Sequence, residues 1–125
     1  MLTRKQAKQI KRLGDTSDYP QLLTNVEKAL SSGKAKAFID DSVGIVITKP
    51  TFRDGSMGML VWVAIGYCCN AISRYLPFFE LIAIDSGCKF IEFRTRRKGF
   101  KRLAPTFNFK EARPSDGFFV FTKEV

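Results

Sequence analysis

The sequence predicts an α/β (α+β) fold in which a mixed central sheet carries helices on both faces and ends in an antiparallel hairpin. The apolar run at 59–67 is typical of a strand covered on both faces, and the segment 89–95 predicts a second such strand, with Phe90, Ile91 and Phe93 buried. The segment between them, 70–86, has the composition of a helix, so the three together predict a βαβ-like unit. Shorter β runs come in pairs before and after this unit, and such hairpins require antiparallel neighbours in the same sheet.

Length and charge predict one domain with a basic arm. A chain of 125 residues with 45% hydrophobic content has the size and composition of a single globular domain. Its formal charge of +9 is concentrated in residues 1–12 and 94–102, and neither stretch contains an acidic residue. The basic side chains there are Arg4, Lys5, Lys8, Lys11 and Arg12, and then Arg94, Arg96, Arg97, Lys98, Lys101 and Arg102. The sequence therefore predicts a basic arm over 1–16 and a single domain over 17–125.

Two helices are predicted first. Residues 3–13 are rich in helix-forming residues, but their apolar stripe is too thin for a helix that packs independently. We therefore expect the arm to dock on its own domain or on a partner. A second helix is predicted to begin at Asp18, a good N-cap residue, with Pro20 in its first turn, and to end at Gly33.

The next segments predict strands. Two β runs, 35–39 and 43–48, flank the turn-forming residues 40–42 and predict a hairpin. Residues 50–58 predict a loop because they contain an Asp-Gly-Ser turn sequence. The most apolar strand of the chain, 59–67, follows this loop.

The helix predicted at 70–86 ends at Gly87, a natural left-handed stop. Pro77 conflicts with a regular helix, since a mid-helix proline costs about 3 kcal/mol. Either the helix is kinked at Pro77, or its regular part begins near Leu76.

The C-terminal part predicts a strand at 89–95, a short basic helix at 97–103 that stops before Pro105, and two strands at 106–112 and 117–123. The aromatic residues that alternate along the last two strands are Phe107, Phe109, Phe119 and Phe121. This alternation predicts a closing antiparallel hairpin.

Several classes of protein are excluded or disfavoured. Without histidine the chain has no Ser-His-Asp or Cys-His nucleophile pair and no histidine-containing metal site, so we expect no metal. Cys68, Cys69 and Cys88 lack the CxxC spacing of a zinc site, and we expect them to be free thiols in a reducing compartment. The apolar stretch 57–84 is interrupted by polar residues, so we expect an intracellular protein without a membrane partner.

The pattern of the second half supports a family resemblance. A helix ending in Ser86-Gly87-Cys88 precedes the strand FIEFRT at 90–95, and the segment RRKGFKR at 96–102 leads into a Phe-rich turn. In this order of motifs the chain from about residue 36 to its end resembles the GNAT superfamily of N-acetyltransferases. It is most similar to the short GNAT-like proteins encoded by tailed phages.

The resemblance implies acetyl-CoA as the cofactor, bound where the parallel strands 59–67 and 89–95 separate. The first strand would offer its backbone to pantetheine, and the loop and helix that follow would direct N–H groups at the pyrophosphate. The cofactor-binding residues implied are Val63, Ala64, Ile65, Cys69, Asn70 and Ala71. The candidate catalytic residues are Tyr67, at the end of the strand where an acid would be useful, and Glu92 as a base that acts through water. A strand glutamate beside Arg94 and Arg96 also fits a salt-bridged structural residue.

The chain departs from the family pattern at two places. The family loop carries a basic residue or Gln followed by closely spaced glycines, whereas here Gly66 is the single glycine and stands early in the loop. Side chains on Cys68 and Cys69 would crowd a close backbone approach. The tyrosine that often acts as general acid is also missing, since residues 103–105 are Leu-Ala-Pro.

Three functions follow from these observations. The departures from the family pattern favour a GNAT-like phage protein that acts as a virion structural or host-modulating component. We expect such a protein in the virion or the host cytoplasm, bound to a protein partner such as another virion protein. The first alternative is an active acetyl-CoA-dependent N-acetyltransferase. The second is sequence-independent nucleic-acid binding through the basic patches, with Phe100 between Lys98 and Lys101 as a base-stacking candidate.

Overall fold

One mixed sheet organises the chain, for which the computed structural model describes residues 2–67, 71–96, 99–115 and 117–125. In chain order the elements are α1 Arg4–Thr16, α2 Leu22–Ser31, β1 Lys36–Asp40, β2 Gly44–Arg53, β3 Ser56–Gly66, α3 Ala71–Asp85, β4 Phe90–Thr95, α4 Phe100–Leu103, a 3-10 turn Ala104–Phe107, β5 Lys110–Ser115 and β6 Phe118–Glu124.

The strand order is β1-β2-β3-β4-β6-β5. β3 and β4 are parallel and are connected by α3, whereas every other neighbouring pair is antiparallel. The predicted βαβ unit, the mixed sheet and the closing hairpin are therefore confirmed.

Each face of the sheet carries its own hydrophobic core. On one face Ile45, Ile47 and Val63 pack with residues of α1 and α2, among them Ile10 and Val26. The opposite core joins the sheet to α3, α4 and the 3-10 turn. Its buried members are Val46, Met59, Val61, Leu76, Phe79, Ala83, Cys88, Ile91, Ala104, Phe109 and Phe121. Helices on both faces, as predicted, are confirmed.

The basic N-terminal segment forms a helix that docks on the chain's own domain. Thr3 caps α1 in a reciprocal capping box with Gln6. Ile10 is fully buried in the core with α2 and the sheet. Gly14 allows the close approach of α2, because a Cβ at this position would lie 2.5 Å from the Tyr19 carbonyl oxygen. The apolar stripe of α1 is too thin for a helix that packs independently, but burial of Ile10 in the core is sufficient to dock α1 on the domain.

Asp18 is not the cap of the second helix, so that prediction is wrong. Its φ is +56°, and it lies in the turn in which the Tyr19 N–H donates to the Gly14 carbonyl at 2.8 Å. The chain must reverse between α1 and α2, and Asp tolerates the left-handed conformation that this reversal needs. α2 begins at Leu22 and ends close to the predicted stop at Gly33.

The predicted loop at 50–58 is wrong, because β2 and β3 form a long hairpin. Its two-residue turn is Asp54-Gly55, in which both residues have positive φ, as a type I′ turn requires. Pro50 lies within β2 and is paired with Met59. The ladder between β1 and β2 stops at the pair Lys36–Thr48, so β2 is an edge strand at Pro50. The N–H that proline lacks therefore costs no hydrogen bond on the β1 side.

The α3 helix starts at Ala71 and continues through Pro77, so the alternative in which it begins near Leu76 is wrong. Pro77 has no N–H to donate to the carbonyl of Ser73, four residues earlier in the helix. Both residues are exposed. Water can bind this carbonyl, which lowers the cost of the proline.

The strand predicted at 106–112 begins only at Lys110. The 3-10 turn occupies Ala104–Phe107, and Asn108 ends it with a φ of +64°. Phe107 and Phe109 consequently join the core from a turn and a connection rather than from alternating strand positions.

Replacement of Ile10 by alanine tests whether α1 belongs to the folded domain. We expect Ile10→Ala to lower the free energy of unfolding by about 2–5 kcal/mol, since it leaves a cavity between α1, α2 and the sheet. Urea unfolding monitored by circular dichroism measures the change. The exposed neighbour variant Lys8→Ala should change stability by no more than about 0.5 kcal/mol. Equal stability of both variants would show that α1 does not stabilise the domain.

Candidate functional site

The pairing between the two parallel strands stops partway along the sheet, and we call the region beyond the last pair the fork. β3 and β4 pair at only three positions, Met59 with Ile91, Leu60 with Glu92 and Val61 with Phe93. Beyond the last pair β3 continues to Gly66 against β2, and β4 continues against β6. Among the described residues, no further ladder pairing joins β3 to β4. The carboxyl ends of the two strands therefore separate.

A β-bulge lies where the fork begins. The register between β2 and β3 shifts between Ile47 and Thr48, which leaves Trp62 as the extra residue on β3. A bulge bends its strand and increases the local twist. Trp62 directly follows Val61, the last residue paired with β4, so the bend occurs where the two strands part.

Alternation along β3 determines which backbone groups face the fork. The Tyr67 N–H donates to the Val43 carbonyl at 2.8 Å, so Tyr67 directs its backbone toward β2. Successive residues of a strand alternate, and Val63 and Ile65 therefore also direct their backbone groups toward β2. The N–H and C=O groups of Ala64 and Gly66 point into the fork.

The residues predicted to bind the cofactor differ in what they offer. Val63 is buried in the core, Ile65 packs against the same core, and the Ala64 side chain is exposed. Ala71 is the first residue of α3, so the N-terminus of this helix follows closely after the end of β3. Cys69 and Asn70, the remaining two, lie outside the described residues.

Tyr67 is exposed at the end of β3. Its hydroxyl donates a hydrogen bond of 2.7 Å to Gln9 Oε1 on α1. The ring lines a surface depression together with Lys5, Gln6 and Asp41. A phenol in this position is reachable from solvent and is held by one side-chain acceptor.

Glu92 is buried, with 1% of its surface exposed, and it joins two arginines. Its Oε1 accepts from Arg53 Nη2 at 2.9 Å and from Arg53 Nε at 3.2 Å. Its Oε2 accepts from Arg94 Nε at 2.6 Å. Arg53 lies on β2, so the carboxylate connects β2 to β4 across the intervening β3.

Positive charge exceeds negative charge beside this carboxylate. Lys49, Leu60 and Glu92 are in register across β2, β3 and β4, and the Lys49 ammonium stands 3.8 Å from the centre of the Trp62 ring. Burial and, to a lesser degree, the charge of Arg94 lower the pKa of Lys49. This face of the sheet therefore presents a cationic surface where the fork begins.

The second basic patch is partly neutralised by its own domain. Arg96 pairs with Asp18 at 3.7 Å, and Lys101 pairs with Glu111 at 3.4 Å. Arg102 is exposed, whereas Arg97 and Lys98 lie outside the described residues.

Phe100, the base-stacking candidate, packs inward instead. Its ring lies 5.3 Å from Phe93 and 5.0 Å from Phe121, measured between ring centres. It therefore contributes to the core on the α3 face of the sheet.

The first basic patch is displayed on the outer surface of α1. Its five basic side chains are Arg4, Lys5, Lys8, Lys11 and Arg12, and all of them are exposed. Lys11 also pairs with Asp15 one turn further along the helix.

No helix in the described part of the chain is long and apolar enough to cross a membrane. The described residues likewise contain no group of three Cys, Asp or Glu side chains placed to hold a metal ion.

The fold is that of the GNAT acetyltransferases. A GNAT-family acetyltransferase from Listeria monocytogenes superposes with a TM-score of 0.63 at 14% identity, over 95% of this chain and 85% of that one. Aminoglycoside 6'-acetyltransferase type Ii gives a TM-score of 0.67 at 16% identity, over 96% and 88%. PaiA N-acetyltransferase from Thermoplasma acidophilum, in complex with coenzyme A, gives 0.57 at 16% identity, over 100% and 81%. No family model matches the sequence, and no curated protein matches it.

Neutralising Glu92 tests the connection between β2 and β4. We expect Glu92→Gln to lower the free energy of unfolding by about 1–3 kcal/mol, because the amide keeps one acceptor oxygen for one arginine and places an NH2 donor against the other. The matched control is Glu111→Gln, which removes an exposed ion pair and should cost no more than about 1 kcal/mol. Urea titrations of both variants give the comparison. An unchanged midpoint for Glu92→Gln would refute the structural role of this carboxylate.

Proposed function

We propose that the protein binds a coenzyme A thioester, acetyl-CoA in the first instance, in the fork between β3 and β4 and transfers its acyl group to an amine. The observation that carries this proposal is the end of strand pairing at Val61 and Phe93, which leaves the backbone of Ala64 and Gly66 without a ladder partner on the β4 side among the described residues. A solved structure of the same fold is a complex with coenzyme A.

The chain's residues fit such a ligand in two respects. An extended molecule that carries amides can add to an unpaired strand edge as a further strand would, and Ala64 offers both a donor and an acceptor there. Its small, exposed side chain leaves room beside that edge. The N-terminus of α3, at Ala71, follows the same end of β3, and a helix N-terminus favours phosphate groups.

The bound thioester would supply an activated acyl group for direct attack by the amine. The C–N bond forms as the C–S bond breaks, and we assign proton transfer to the leaving sulfur to Tyr67, whose exposed hydroxyl is held by Gln9. The proton that the amine loses returns to the phenolate through water. Glu92, expected as a base acting through water, has both carboxylate oxygens engaged by arginines. Its proposed role is to hold Arg94 beside the fork, where the cationic surface with Lys49 favours an acceptor that carries negative charge.

Blocking the fork tests this proposal. We expect Ala64→Trp to weaken acetyl-CoA binding at least tenfold, since the indole would occupy the space beside the unpaired strand edge. Isothermal titration calorimetry with acetyl-CoA measures the affinity of each protein. Ala37→Trp, an exposed alanine on β1, is the matched control and should bind as the original chain does. Failure of the unmodified protein to bind millimolar acetyl-CoA would overturn the proposal.

A second candidate function is a non-catalytic binding component, of a tailed-phage virion or of a host-modulating complex. The five exposed basic side chains on α1 favour it, because they form a positive surface in which Lys11 alone is ion-paired with another described residue. The two cysteines that follow β3 in the sequence, where the resemblance calls for glycines, favour it as well. The partner proposed is an acidic protein surface.

Removal of charge from α1 tests this second candidate. We expect the triple variant Lys5→Gln, Lys8→Gln, Arg12→Gln to bind fluorescent poly-glutamate at least tenfold more weakly in an anisotropy titration, because three cations are lost from one surface. The triple control Lys28→Gln, Lys34→Gln, Lys110→Gln removes the same charge elsewhere and should retain binding. Equal loss in both triple variants would exclude a specific role of α1. Tighter, steeply salt-dependent binding of a dT30 oligonucleotide would instead indicate a nucleic-acid partner.

A further inference from the structure

The outer face of α3 exposes apolar side chains that the domain itself does not cover. Phe78 is 48% exposed, Leu81 65% and Ile84 57%, although the inner face of the same helix buries Leu76 and Phe79. Three of the seven large hydrophobic residues that are exposed in the described chain lie on this one helix. Apolar side chains gathered in this way mark an interaction surface, whereas single exposed ones are ordinary.

The spacing of the exposed residues matches a helix that packs against another helix. Arg74, Phe78, Leu81 and Asp85 follow one another at intervals of four, three and four residues, and all four are exposed. Such intervals place side chains along one seam of a helix. Over this seam, with about 1.5 Å of rise per residue, Arg74 and Asp85 lie about 16 Å apart along the helix axis.

The order of the residues makes this seam complementary to itself. When two copies of α3 pack antiparallel about a twofold axis, Phe78 of each copy meets Leu81 of the other. The same axis brings Arg74 of each copy opposite Asp85 of the other, so both ends of the seam gain an ion pair. A parallel arrangement would instead place like charges together at each end.

We propose that the outer face of α3, defined by Arg74, Phe78, Leu81 and Asp85, is the contact by which two copies of this chain form an antiparallel, twofold-symmetric dimer. The surface lies outside the fork, and the inference stands independently of acyl transfer.

Arg74 and Asp85, at the two ends of the seam, can form ion pairs across this contact. Neither Arg74 nor Asp85 forms an ion pair with another described residue, although Arg74 is close enough to Asp40 to help lower the pKa of that carboxyl. Phe78 is held in place by the rings of Phe38, at 5.6 Å, and Phe79, at 5.8 Å. A held side chain loses little conformational entropy when it is covered.

The size of the contact predicts a reversible dimer. One helix pair buries less than the about 800 Å² per partner of a standard stable interface. We therefore expect association over about 1–100 μM, with the mass rising from the 14.2 kDa of one chain toward twice that value.

Sedimentation velocity of the full chain across this concentration range tests the dimer. Leu81→Glu should raise the dissociation constant of the dimer about a hundredfold, because the symmetric contact loses two apolar side chains and buries two charges. Leu103→Glu, which also replaces a half-exposed leucine but lies on α4, is the matched control and should dimerise unchanged. Circular dichroism and thermal melting of each variant establish that it is folded.

Charge exchange tests the antiparallel pairing itself. Arg74→Asp alone and Asp85→Arg alone should each weaken dimerisation about tenfold, since each places like charges at both ends of the seam. The double variant Arg74→Asp, Asp85→Arg should restore the original constant. A chain that stays monomeric at 100 μM overturns the proposal, as does a double variant weaker than both single variants. Retention of dimers by Leu81→Glu would place the interface elsewhere and also overturn it.

Discussion

The bulge at Trp62 is the constraint on which the rest of the site depends. β3 pairs with β2 along its whole length, and its pairing with β4 ends at Val61, one residue before the bulge. An extra residue bends the strand that carries it. The bend leaves the later part of β3 with one neighbour instead of two, so that a central strand acquires an unpaired edge inside the sheet. In the proposed function, that edge is where the extended ligand binds.

Glu92 holds the strands together where the fork begins. The carboxylate is buried beside the last paired residues and accepts hydrogen bonds from Arg53 on β2 and from Arg94 on β4. Burial of a charge is expensive unless the charge is paired, and here both oxygens are engaged by guanidinium groups. The two arginines and Lys49 leave this face cationic. One residue thus ties the strands together and holds a positive surface beside the opening.

The sequence predicted those features that depend on composition and order. The apolar run at 59–67, the strand predicted at 89–95 and the helix between them led to the parallel pair, and the Phe-rich C-terminus led to the closing hairpin. Features that depend on tertiary contact were missed. Pro50 is acceptable in β2 only because β1 ends opposite Thr48, and the bulge at Trp62 has no signal in the sequence. The family resemblance led us to expect that β3 and β4 separate. That the backbone groups of Ala64 face the fork could be worked out only from the hydrogen bond between the Tyr67 N–H and the Val43 carbonyl.

The central claim is that the backbone of Ala64 faces an open fork that an acyl-CoA molecule fills. Amide hydrogen exchange measured by NMR tests it at single residues. In the free protein the Ala64 N–H should exchange rapidly while the Ile65 N–H, which pairs with β2, stays protected, and millimolar acetyl-CoA should slow exchange at Ala64. An Ala64 amide as protected as that of Ile65 without ligand, or one unchanged by acetyl-CoA, would contradict the account.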